Sequence, residues 1–104
     1  MNFIKLPINL FDDPKIIYLQ HLPEGKIIVL CWIMLLTLAG QCQHEGCVYL
    51  TENIPYTPLM LSQEMKINVT VIQSALQAFQ ELDMIHLTDS GWIFINDWAR
   101  YQPK

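Results

Sequence analysis

The stretch KINVTVIQSALQAFQ, residues 66–80, decides the fold. Its apolar residues recur at helical spacing. At about 100° per residue, Ile72, Ala75, Leu76 and Phe79 share one face with Leu82 just beyond, and that face is expected in the core. Thr70, Ser74, Gln77 and Glu81 lie opposite, with Gln73 beside them. Pro58 has the fixed φ of a first helical position and opens a preceding helix through residue 65. Lys66, Ile67 and Asn68 make the turn between the two. Helix, short turn, helix is a helix-turn-helix, whose second helix is the one that enters a DNA groove. Yet residues 67–80 carry no charge of any kind.

Glutamine can pair with adenine through N6 and N7, and Ser or Thr can serve several base edges. The candidate DNA-binding residues are therefore Lys66, Asn68, Thr70, Gln73, Ser74 and Gln77. Phosphate anchoring is what they lack. Lys66 is the only base near the helix, and residues 86–96 contain no Lys or Arg. The competing expectation is a solvated or protein-packing face.

Elements on either side complete the pattern. Asp12 or Asp13 followed by Pro14 is a helix start, and a short helix is expected to about Leu22 with Ile16, Ile17 and Leu19 inward. Pro23, Glu24 and Gly25 break it. A second helix is expected over residues 24–39, stopped by Gly40. Residues 46–50, GCVYL, read as a strand and ENIPY as irregular. MIHLT and WIFIN alternate as two strands around Asp89, Ser90 and Gly91, a hairpin turn. Helix, helix, strand, helix, turn, helix, hairpin is the order of a winged helix. The expected fold is α+β, mainly α: one winged helix-turn-helix domain over residues 1–104, with a small antiparallel sheet and the hairpin as wing.

Composition bounds the function. The 104 residues are 52% hydrophobic and only 15% charged, against about 25% charged in an ordinary domain. From residue 27 to 39 only Thr37 is not apolar. A helix so apolar must be covered on all sides. Either it is central and wrapped by the others, or one flank, with Trp32 and Leu36, lies in a homodimer seam. The run falls short of the ~20 residues that span a bilayer, so a buried helix is expected and not a membrane anchor. Six Lys and Arg against ten Asp and Glu give −4, the wrong sign for binding nucleic acid by bulk electrostatics.

FDDPKI, LPEGKIIVLCWIMLLTLAG, VYLTENIPYT, ALQAF with DMI after it, and GWIFINDW, taken together, resemble the N-terminal domain of phage replisome organizers. The resemblance runs in order and spacing from about Phe3 to Gln102. The chain is more distantly similar to the winged helix of DnaD-type primosomal proteins. The resemblance implies a role in starting phage or plasmid replication, by recognising double-stranded DNA at an origin and recruiting the host helicase-loading machinery. It also implies that more chain follows Lys104. Two departures stand out: Gln73 and Gln77 are neutral where the family often carries bases, and Asp83 occupies the helix stop where a glycine is usual.

Other chemistry finds little support. Cys42, His44 and Cys47, with Cys31 as a fourth ligand, suggest zinc, but such sites use paired, closely spaced ligands, and no metal or cofactor is expected. Three cysteines without a secretion signal fit a reducing cytoplasm. His21, His44 and His86 are scattered, and no phosphate loop or Ser/His/Asp set occurs, so an enzyme is not expected.

Overall fold

The computed structural model describes residues 2–103. The chain runs through a short 3-10 helix at Leu10–Asp12, α1 at Pro14–Gln20, α2 at Gly25–Cys42, β1 at Cys47–Thr51, β2 at Ile54–Pro55, α3 at Pro58–Met65, α4 at Val69–Glu81, β3 at Ile85–Leu87, β4 at Ile93–Ile95 and a last 3-10 turn at Trp98–Arg100. The mainly-α α+β architecture and the element order are as expected. The sheet is antiparallel throughout, in the order β2-β1-β4-β3. ENIPY is not irregular throughout: Ile54 and Pro55 add an edge strand to β1.

Local chemistry sets the helix ends. Asp13, not Asp12, caps α1, accepting from the Lys15 N–H at 2.8 Å. The helix ends at Gln20, two residues early. Ile17 points outward and is exposed, while Ile16 and Leu19 are buried as expected. Glu24 takes a left-handed conformation, so α2 starts at Gly25. A Cβ on Gly25 would stand 2.5 Å from the carbonyl oxygens of Leu19 and Gln20. Only glycine permits so tight a corner.

The stop expected at Gly40 is not there. α2 runs on to Cys42, and Gln43 takes the left-handed position instead. Gly40 is buried, and with Phe3 and Ile4 it lines the recess where the N-terminal segment crosses the helix. The longer helix reaches 18 residues, enough in length and composition to cross a membrane, but nine of its residues are buried against the rest of the chain.

Trp32 sits at the centre, edge-on to Phe79 of α4 at 5.3 Å and to Tyr101 at 6.1 Å between ring centroids. It is 1% exposed and Leu36 is 0% exposed. This corrects the expected seam. Both side chains are enclosed by their own chain, and a second copy could reach neither without opening the core. The part of α2 that faces outward carries Ile27 and Leu30.

Cys31 also lies in this core, and burial pushes its thiol up to about 11 from an ordinary 9.0. Burial, as the first cause, raises Tyr56 and Tyr101 as well. A thiol that must stay protonated contributes its full share below pH 9. That share is lost as pH climbs towards 11, because the unfolded thiol ionises first. At 1.36 kcal/mol per unit this amounts to about 3 kcal/mol. Urea midpoints are expected to fall between pH 8 and pH 11, and less steeply for Cys31→Ala; equal slopes for the two proteins would contradict the assignment.

Candidate nucleic-acid interface

The turn before α4 is held by its own backbone. Lys66 closes α3 in a left-handed conformation, φ 57°. The Ile67 N–H donates to Ser62 O at 3.1 Å, and the Ser62 hydroxyl donates back to Ile67 O. Asn68 caps α4, its Oδ1 accepting from the Thr70 N–H at 2.8 Å. Half of the Asn68 side chain thus serves the helix, leaving Nδ2 to donate outward. Ile72, Ala75, Leu76 and Phe79 face the core, as their spacing requires, and Leu82 is half-buried against it.

The opposite face is set by the same rotation. Thr70, Gln73, Ser74 and Gln77 are all exposed. Their spacing of three, four and seven stacks them into one row. Lys66 and Asn68 are exposed at its N-terminal end. All six candidate DNA-binding residues therefore lie along one helix face and the turn leading into it.

Little charge accompanies this row. Lys66 lines a shallow groove together with Tyr56 and Glu64, so a carboxylate borders the same surface as the one base at the site. The Tyr56 hydroxyl reaches Glu64 Oε1 at 3.5 Å. Arg100 is engaged elsewhere, 3.7 Å from Asp13 and over the Tyr101 ring. The row is built for hydrogen bonding and not for phosphate attraction.

Sequence reasoning missed a neighbour. Ser74, Gln77 and Glu81 form one wall of a groove of about 230 Å³ whose other wall is Tyr18, Leu22, Pro23 and Ile28. No periodicity within α4 could reveal that the α1–α2 corner runs alongside it. At the far end, Asp83 is left-handed at φ 62°. Its N–H donates to Gln80 O at 3.0 Å and that of Met84 to Phe79 O at 2.8 Å, the pair of bonds that closes a helix around a left-handed residue. That is the position where the family resemblance led us to expect glycine.

The Cys42, His44 and Cys47 segment is organised around Tyr49. Its hydroxyl donates to Cys42 O at 2.8 Å and meets His44 Nδ1 at 2.7 Å, while the Cys42 thiol donates to Tyr49 O at 3.3 Å. Among the described residues no three His, Cys, Asp or Glu side chains are grouped to hold a metal ion.

Four helices and a small four-stranded antiparallel sheet, with an exposed polar row on α4, define a mainly-α α+β domain. The family model for the N-terminal phage replisome organiser matches residues 3–104, and the chain belongs to that family. No curated protein and no solved structure matches the chain. Membership connects the domain with the initiation of phage replication.

Two substitutions test the framing of α4. Asn68→Ala removes the cap and is expected to lower stability by about 1 kcal/mol. Asp83→Gly relieves the left-handed Asp and is expected to raise it, by up to about 1 kcal/mol. Opposite shifts in thermal midpoint check the pair, and a destabilising Asp83→Gly would refute the second half.

Proposed function

We propose that this domain sets a phage replication initiator on duplex DNA at its origin, reading base edges with the exposed row of α4 as a winged helix does, the β3–β4 hairpin forming the wing. The observation that carries the reading is that row: Thr70, Gln73, Ser74 and Gln77, uncharged hydrogen-bonding groups on one exposed face, the chemistry that base edges require. Family membership supports it. The role is one of placement and assembly without catalysis, with the host helicase-loading machinery as a further partner.

Each phosphate neutralised by Lys or Arg adds roughly 0.9 to the slope of log affinity against log salt. Lys66 is the one base at the site, so a single domain is expected to bind weakly with a slope on the order of 1 to 2. Gln73→Ala with Gln77→Ala should cost sequence preference more than non-specific binding. Gln73→Arg with Gln77→Arg should tighten binding to every duplex. A steep slope in the unmodified domain would contradict the reading.

A second reading is favoured by the groove between α4 and α1, where Tyr18, Leu22 and Pro23 set apolar surface beside Ser74 and Gln77. Such a groove suits a protein segment. Under that reading the double arginine variant leaves DNA binding at nil.

Self-association would multiply the weak contact. Among the described residues, six of the twelve large hydrophobic side chains that stay exposed lie in the first 18 residues: Phe3, Leu6, Ile8, Phe11, Ile17 and Tyr18. The Lys5 N–H ties this segment to Tyr101 O at 2.7 Å. Sedimentation equilibrium is expected to show a concentration-dependent homodimer that Ile8→Ser with Phe11→Ser shifts towards monomer. A clean monomer at high micromolar concentration would count against it.

A further inference from the structure

The face of the sheet turned away from the core carries aromatic residues. Val48, Ile93, Ile95 and Ile85 point inward and are buried. Alternation then turns Tyr49, Trp92, Phe94 and His86 outward. Phe94 pairs in register with Cys47 on one side and His86 on the other. Tyr49 and Trp92 stand opposite one another one step beyond the pair Val48 and Ile93. Tyr49, Trp92 and Phe94 are only half-buried, and none belongs to the hydrophobic core.

These rings form walls and not a flat stack. Tyr49 and Trp92 are 6.5 Å apart at 75°, and His44 closes on Tyr49 at 5.5 Å and 66°. Together with Phe94, Glu52 and Asn53 they enclose a cleft of about 450 Å³. The walls are fixed in advance. The Tyr49 hydroxyl is held by Cys42 O and His44 Nδ1, and Phe94 lies parallel to His86 at 5.0 Å.

The charge of the cleft has one sign. Glu52 lines it and no Lys or Arg does. Its presence is felt at Tyr49, whose phenol is pushed up first by desolvation, then by Cys42 and Glu52. A phosphate would be repelled here. A cation over the aromatic faces would be attracted by ring and carboxylate together. Of the two side-chain cations, guanidinium is planar, weakly hydrated, stacks on rings and forks onto a carboxylate.

We infer that this aromatic cleft, with Glu52 at its edge, is a docking site for an arginine side chain of a partner protein. The arginine is not one of residues 1–104. The one arginine here, Arg100, is engaged with Asp13 at 3.7 Å and with the Tyr101 ring. The site lies on the sheet, apart from the row on α4, and does not depend on that row meeting DNA. Cross-strand aromatic pairing alone would also stabilise the sheet, but it requires no carboxylate and prefers no cation.

The test titrates the unmodified chain with the blocked tripeptide Gly-Arg-Gly, its citrulline counterpart of equal shape without charge, and a short oligo-dT strand. The readout is the indole N–H resonances, with the buried Trp32 and Trp98 as internal controls. The Trp92 indole is expected to shift saturably with the arginine peptide and not with oligo-dT. Affinity for the citrulline peptide should be weaker by roughly five-fold, the scale of an exposed cation–π contact. Glu52→Gln, at an exposed position, should reduce arginine binding by a similar factor and leave the controls in place. Equal shifts with both peptides, no shift up to millimolar peptide, an unchanged affinity in Glu52→Gln, or saturation by oligo-dT instead would each overturn the assignment.

Discussion

Trp32 is the contact on which the rest depends. From the middle of α2 it touches Phe79 of α4 and Tyr101 near the C-terminus, so one side chain joins three separated parts of the chain. Its indole N–H is buried without a well-formed hydrogen bond, although the Tyr101 hydroxyl is close enough to feel it. Leaving such a donor unpaired costs roughly 1–3 kcal/mol. Burying some 200 Å² of indole at about 25 cal/mol per Å² contributes about 5 kcal/mol. Burial wins. The same contact fixes the rotation of α4, because Phe79 cannot face Trp32 unless Thr70, Gln73, Ser74 and Gln77 face away.

What could be read from the sequence was whatever carried a phase or a fixed conformation. α4 alternates apolar and polar groups at helical spacing, and its two faces were assigned residue by residue. Asp13 with Pro14, Asn68 and Gly91 mark ends and turns through one local bond or one permitted φ, and they too were legible. α2 offered no such phase. Where nearly every residue is apolar, composition says that a helix is buried but not which side is covered. Trp32 and Leu36 were therefore left open between the core and a dimer seam, whereas both are buried and Ile27 and Leu30 face out. Gly40 failed for a related reason, since a glycine can end a helix or lie buried within one, and only the fold decides between them.

The aromatic face of the sheet was hidden by the same ambiguity. Alternation in WIFIN and CVYLT shows that there are two faces, and the aliphatic residues take the core. The outward set then looks like ordinary sheet surface until its rings are placed against one another across three strands. Tyr49 was further obscured, because its hydroxyl is held by residues of the loop that had drawn attention as metal ligands.

Charge separates the two kinds of surface. A helix row with hydrogen-bonding groups and one base can discriminate between base pairs but cannot hold a duplex. Each copy would add about one phosphate contact, so tethered copies gain affinity by raising local concentration without any new contact. That arrangement suits an initiator. Non-specific binding scales with the number of phosphate contacts, while discrimination scales with base-edge pairs. Under the proposed reading, a chain of net charge −4 with an uncharged row on α4 would keep the first small relative to the second. Under the proposed reading the low charge of α4 is therefore no defect: it ties productive binding to assembly, so that a lone domain leaves DNA readily and several copies together remain.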